Sequence, residues 1–292
     1  MSASAGASDV VDFYDRHPIS APQVLAALER QGKVGGRLSM DDLGELDHDH
    51  YGGLAAVEAL ARRAGIVAGA RVLDVCAGLG GPARFLASRH AARVIALDLH
   101  PGRCAGAARL TRLVGLEALV RPLRADAQAL PFRAGRFTAV ISQEGLLHVP
   151  DKGRVLAECA RVLAPGGRIA FSDWIATPRL GDNERARLGT WMAAVTIQSM
   201  AGYGALLARA GFTGVETEDL SAEWIDILRQ RFAMYRSLRA DTVARLGEAR
   251  YEEYSQLYAF FVGLVEAGKL GGARFSAGAA PGASWPPRGR PP

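Results

Sequence analysis

The chain has 292 residues, 49% of them hydrophobic and 22% charged, with a formal net charge of +5 at pH 7. It can build one large domain or a domain with a cap. No apolar run is long enough to span a bilayer, and "MSASAGASDVVDFYD" lacks the basic start and apolar core of a signal peptide, so a cytoplasmic protein is expected. The positive charge is almost all arginine, scattered with no run of four basic residues, which argues against a nucleic-acid partner. Cys76, Cys104 and Cys159 show no C-x-x-C spacing, which argues against a disulfide framework or a thiolate metal site.

Residues 1–9 are small and polar and read as unstructured, at the start of an N-terminal helical segment over 1–50. A core over 51–220 then alternates strand and helix. "RVLDVCA" (71–77) is a buried strand, followed by a helix at 81–90. "ARVIALDL" (92–99) is the second strand, followed by a helix at 101–114. "LVRPLRAD" (119–126) is a weaker third strand and "FTAVISQ" (137–143) a fourth, followed by a helix at 151–163. "GGRIAFSDW" (166–174) is the fifth strand. This rhythm predicts βαβ units and a parallel sheet covered on both faces. Residues 182–211 read as helical, including an insertion near 176–205, and "FTGVETEDL" (212–220) as a sixth strand. Over 222–268 a long amphipathic helix pattern forms a cap, "GGARFSA" (271–277) is a last, edge strand, and 278–292 is a loose tail.

The stretch "VLDVCAGLGGPARFLA" carries Gly78, Gly80 and Ala83, which fit the dinucleotide fingerprint G-x-G-x-x-G/A. Two neighbours point away from a phosphate. Pro82 opens the following helix without an N–H, where a pyrophosphate would need one. Asp74 places a carboxylate near the loop, which repels phosphate and suits a cation; its bland alternative is a loop brace. Asp98 ends the second strand, where an acid accepts ribose hydroxyls. Asp126, with the Ala127 N–H, can face an adenine edge, or serve as a plain turn residue.

Together "DVCAGLGG", Asp98, Asp126-Ala127, "SQEGLLHVPDK" (142–152) and "RVLAPGGRIAFSDW" (161–174) resemble class I S-adenosylmethionine-dependent methyltransferases, over roughly 50–220. "HDHYGG" (48–53) and "LGGARFSA" look like the small-molecule branch, which includes sarcosine/dimethylglycine and phosphoethanolamine N-methyltransferases and antibiotic sugar O-methyltransferases. The resemblance implies an α/β fold: a doubly wound, Rossmann-like sheet, mostly parallel with an antiparallel edge strand, plus a helical cap. It implies S-adenosylmethionine as cofactor, leaving as S-adenosylhomocysteine. Asp74 would lie near its methionine amino end, with Gly78 and Gly80 along its body. Asp98 would take the ribose hydroxyls, Leu99 would pack the adenine, and Asp126 and Ala127 would reach the adenine edge. Ser142 and Gln143 would touch the methionine moiety, and Tyr14 and Tyr51 would close over it. Many members have glycine where this chain has Cys76.

The expected reaction is in-line displacement at a sulfonium methyl, in which the protein supplies orientation and desolvation. In the resembled sugar O-methyltransferases a His and an Asp at these motif positions deprotonate the acceptor, which implies His148 as base and Asp173 as its orienter; a structural role for His148 is the alternative. Cap aromatics Trp174, Trp191, Trp224 and Tyr235, with Tyr254 and Tyr258, can hold a cationic or ring-bearing acceptor, or simply pack the cap. No metal is expected, because His48 and His50 lack a third ligand at matching spacing. The leading expectation is N-methylation of a small amine. The alternative is O- or C-methylation of a natural-product scaffold such as a sugar, phenol or indole. More remote are an NAD-dependent oxidoreductase and a non-catalytic cofactor-binding protein. The expected partner is a small-molecule acceptor, with no nucleic acid and no membrane, and a homo-oligomer is compatible with the sequence.

Overall fold

The computed structural model describes residues 5–280 except 18, 34–37, 45, 48 and 49. Its elements, in chain order, begin with α1 (Ala5–Asp15), α2 (Ala21–Arg30), α3 (Met40–Leu43) and α4 (Gly53–Arg63). Then come β1 (Arg71–Val75), α5 (Gly81–His90), β2 (Arg93–Asp98), α6 (Pro101–Leu113), β3 (Val120–Arg124), β4 (Phe137–Gln143), α7 (Lys152–Val162) and β5 (Leu163–Ala176). The chain continues through α8 (Asp182–Met192), α9 (Met200–Arg209), β6 (Phe212–Asp219), α10 (Ser221–Ser237), α11 (Arg239–Leu246), α12 (Glu248–Glu266) and β7 (Leu270–Ala279). No described helix is long and apolar enough to cross a membrane.

One seven-stranded sheet runs β3-β2-β1-β4-β5-β7-β6. The first five of these strands are parallel neighbours, and β7 is antiparallel to both β5 and β6. Pleating sends alternate residues to opposite faces. Val72, Val94, Ala139 and Ala170 pack with α4 and α5, whereas Leu73, Val140, Ile169 and Phe171 pack with α7 and α9. Chain order reverses between β1 and β4, and the loops after parallel strands at such a switch point flank a crevice.

Four expectations change. The last strand is interior, with β6 outside it: its small residues Gly271, Gly272, Ala273 and Ser276 are buried and fit between two strands beneath packed side chains. The 182–211 run breaks into α8 and α9, where Ala193 takes φ +49°. The 222–268 run breaks at Leu238 and again at Gly247, whose φ of +84° favours glycine. Helix α1 begins at Ala5 and β7 reaches Ala279, so both ends are more ordered than expected as far as they are described; residues 1–4 and 281–292 lie outside the described residues.

Candidate active site

The loops after β1, β2, β3 and β4 enclose a cavity of about 270 Å3, roofed by α1, α10 and α12. At its floor the chain leaves β1 through Cys76, Gly78 and Gly80, all with positive φ. Cys76 holds φ +59° without being glycine, and Gly145 answers it: a Cβ on Gly145 would lie 2.4 Å from that of Cys76. The Asp98 carboxylate braces the loop. One oxygen accepts the Gly78 N–H at 2.8 Å and the other the His100 N–H at 2.9 Å.

Of the residues singled out in the sequence, Tyr14, His50, Tyr51, Cys76, Gly78, Asp98, Leu99, Asp126, Ala127, Gln143, His148, Trp174, Tyr254 and Tyr258 line this cavity. Asp126 is exposed at the rim, and its carboxylate accepts the Gln128 N–H at 2.8 Å, capping the turn that follows. Gly80 serves as the left-handed entrance to α5 rather than as cavity wall. Ser142 is buried beside the wall and ties β4 to β1 by donating to Val75 O at 2.8 Å.

Asp74 and Asp173 lie inside their strands, and pleat direction turns them from the cavity. Asp74 shares a face with Val72, beneath α5. Burial, and then the nearby Asp98 charge, push its carboxyl up to about 8, although Arg84 opposes the shift. Its Oδ2 has no hydrogen-bond partner among the described residues. Asp173 shares the Phe171 face, and its carboxylate accepts from Tyr203 Oη rather than from His148. Burial raises its pKa to about 6, while the Lys152 ammonium pulls the other way.

The cap aromatics divide. Trp174 faces the cavity, whereas Trp224 sits behind it against Tyr51 and Trp174 with ring centroids 5.0 and 4.8 Å away. Tyr235 stacks on Tyr251 at 5.2 Å and joins α10 to α12. Trp191 packs under Arg187 and beside Phe260, outside the cavity. His48 lies outside the described residues; the Nδ1 of His50 lies 3.3 Å from Tyr51 O.

His148 has two defined partners. Ala193 O lies 3.0 Å from Nδ1, and a carbonyl only accepts, so Nδ1 carries the proton. The Tyr14 O–H then donates to Nε2 at 3.0 Å. Burial lowers the imidazole pKa to about 4, so it is neutral at physiological pH. Sequence reasoning missed the apolar wall residues Met192, Leu257 and Phe261 and three charged cavity residues, Arg103, Glu144 and Arg231. The Arg103 guanidinium lies over the Tyr14 ring at 4.4 Å. Glu144, at φ +52°, accepts the Tyr51 N–H at 3.0 and 3.2 Å. Arg231 reaches from α10 to donate to His50 O at 2.6 Å and covers the Tyr51 ring at 4.5 Å. Only Arg103 left a readable signal: it lies in the first turn of the helix that begins just after Asp98.

Asp74 makes a stability prediction. Its raised pKa means that the folded protein keeps a proton which the unfolded chain releases. That stabilisation is full below about 4, the ordinary carboxylate range, and is lost as pH rises through about 8. Asp74→Asn should therefore flatten the fall in melting temperature of the cofactor-free protein between pH 5 and 8, measured by calorimetry at both pH values. Equal slopes for the variant and the parent would show that Asp74 does not titrate in this window.

A doubly wound sheet whose cavity opens over a glycine loop at the switch point defines a Rossmann-like enzyme for a nucleoside-type cofactor. The methyltransferase-domain family matches residues 73–171. A methyltransferase of Streptomyces halstedii, GfsG, is 32% identical over 218 residues, covering 74% of this chain and 76% of that protein. Glycine/sarcosine/dimethylglycine N-methyltransferase of Actinopolyspora halophila is 33% identical over 165 residues, covering 56% of this chain but only 29% of that protein. Among solved structures, Haemonchus contortus phosphoethanolamine N-methyltransferase 2, bound to phosphomonomethylethanolamine and S-adenosylhomocysteine, shares the fold with a TM-score of 0.74 at 19% identity, covering 92% of this chain and 59% of that one. The chain belongs to the S-adenosylmethionine-dependent methyltransferases. It is an enzyme that methylates a small molecule with that cofactor.

Proposed function

We propose that this enzyme methylates a hydroxyl on a largely apolar, ring-bearing natural-product scaffold. The carrying observation is the acceptor side of the cavity, walled by Trp174, Met192, Tyr254, Leu257, Tyr258 and Phe261. Such a wall gains by burying apolar carbon and gives a small polar zwitterion little to bind.

The residues present fit the cofactor. Asp98 and Leu99 would hold its ribose and adenine, with the Ala127 N–H at the ring edge. Gln143 would reach its methionine end: its Oε1 is buried with no hydrogen-bond partner among the described residues. When bound, the cofactor supplies an electrophilic methyl on a positively charged sulfur.

The chain itself manages the acceptor proton. The Nδ1–H to Ala193 O bond holds the imidazole with Nε2 open as an acceptor, and Tyr14 links that nitrogen to the cavity. A substrate hydroxyl at Tyr14 Oη passes its proton to Tyr14 while Tyr14 passes its own to Nε2. The aromatic wall excludes water and aligns the oxygen, which is where most of the acceleration arises.

Two measurements test this. S-adenosylhomocysteine release should be seen with phenolic and alicyclic alcohols and not with glycine, sarcosine or phosphoethanolamine; turnover confined to the amines overturns the reading. With an alcohol acceptor, His148→Gln should lower kcat about 100-fold. The acid limb of the parent's profile should fall near pH 4 rather than at the ordinary histidine value of about 6.5, because a base works only above its pKa and burial has lowered this one.

Amine N-methylation stands as the second reading on one observation. The Glu144 carboxylate reaches the cavity beside the rings of Tyr51 and Trp174, a combination that attracts ammonium groups. The relatives named as N-methyltransferases point the same way.

A further inference from the structure

We propose that Lys152 is a positioning residue: its ammonium staples together the two backbone segments that hold His148, and so fixes the tautomer and ring orientation of that imidazole. The inference rests on His148 being the proton acceptor.

Lys152 begins α7 and is only 2% exposed. Its Nζ donates to Thr196 Oγ1, to Thr196 O at 2.7 Å and to Val149 O at 3.2 Å. Thr196 closes the knot. Its Oγ1 donates to Val149 O at 3.0 Å and its N–H to Leu147 O at 3.4 Å. Leu147 and Val149 flank His148 in sequence, and Ala193, the acceptor for its Nδ1–H, belongs to the same non-helical stretch as Thr196.

The chemistry is unusual for a structural lysine. Buried ammonium groups ordinarily sit against a carboxylate, because an unpaired one is costly. Here every hydrogen-bond acceptor of Nζ among the described residues is a neutral oxygen. Asp173, bonded to Tyr203, helps to keep the ammonium charged from a distance. Burial still lowers the Lys152 pKa to about 8, so it is protonated at neutral pH. A salt bridge would place Lys152 more cheaply; the present arrangement instead spends its three donors on the two segments around His148.

The groups facing His148 are Tyr14 and His17 from the N-terminal segment, Arg103 from α6 and Lys152 from α7. Charge on His17, Arg103 or Lys152 opposes protonation of the imidazole. Removing Lys152 therefore takes away a repelling charge and loosens the Ala193 carbonyl at once.

Imidazole nitrogen NMR on the full chain, with and without S-adenosylhomocysteine as probe, tests the proposal. In the parent, His148 should show the Nδ1–H tautomer alone, with a midpoint near 4. In Lys152→Met the midpoint should rise by roughly one pH unit and the other tautomer should appear. Thr196→Val keeps the charge but cuts the two ties made by Thr196 Oγ1, so the tautomers should mix with little change of midpoint. Lys152→Met should also lower kcat about ten-fold, and this loss should vanish in a His148→Gln background, since residues acting through one another are not additive. An unchanged tautomer and midpoint in folded Lys152→Met, or a full kcat loss surviving in the His148→Gln background, overturns the proposal. If Lys152→Met does not fold, an unchanged tautomer in Thr196→Val overturns it. An active His148→Gln would remove the proton-acceptor reading instead, and the tautomer measurement would still decide whether Lys152 orients the ring.

Discussion

Substituting Asp98 by alanine is expected to weaken S-adenosylmethionine binding about 100-fold, measured by titration calorimetry on protein shown to be folded. The carboxylate has two tasks. It already holds the glycine loop through the Gly78 N–H and the start of α6 through the His100 N–H. Its remaining lone pairs face the cavity, where ribose hydroxyls would donate to them. Alanine removes the ribose acceptors and frees two backbone donors, so affinity should fall further than either loss alone would predict. A change below about three-fold would mean that Asp98 braces the loop and binds nothing.

Gly145→Ala is expected to destabilise the protein by about 2–3 kcal/mol and to close part of the cavity, read as a lower melting temperature and weaker S-adenosylhomocysteine binding. The added Cβ would stand 2.4 Å from the Cys76 Cβ and 3.5 Å from the Cys76 carbonyl oxygen, and neither neighbour can rotate away. The double variant Cys76→Gly/Gly145→Ala should recover most of the loss, because the obstructing Cβ is gone. Cys76→Gly alone should be close to neutral: relief of the φ of +59° offsets the extra freedom glycine brings to the unfolded chain. A double variant as unstable as Gly145→Ala would show that the Cys76 Cβ is not the obstacle.

The Cys76–Gly145 pair shows where sequence reading stops. That Cys76 stands where many members of the resembled family have glycine, and so reduces backbone freedom, is part of what the resemblance implies. That the residue meeting its Cβ lies in the loop after β4 is not, because it depends on how two parallel strands stand side by side. The first helix of the cap, α10, shows the opposite limit. Its helical periodicity was plain, but Tyr235 and Trp224 share that stripe with residues of other fates. One stacks between helices, and the other is buried against Gly272, where a Cβ would lie 2.2 Å from the indole. Periodicity names the apolar face of a helix without naming which part of it meets a cavity.

Sequence alone determined the doubly wound sheet and the placement of the loop, Asp98 and Asp126 at strand ends, while the cofactor class came from the family resemblance that these motifs carry. Those features come from short-range patterning, where a strand, a turn and a helix follow within about thirty residues. Tertiary structure decided the partners. His148 pairs with Tyr14, a residue 134 positions away, and not with Asp173. Strand β5 runs on to Ala176, so the pleat turns Asp173 toward Tyr203 and Trp174 toward the cavity. Pleat phase and strand order are set by the packing of the whole sheet, and a single strand's residues do not encode which neighbour each face will meet.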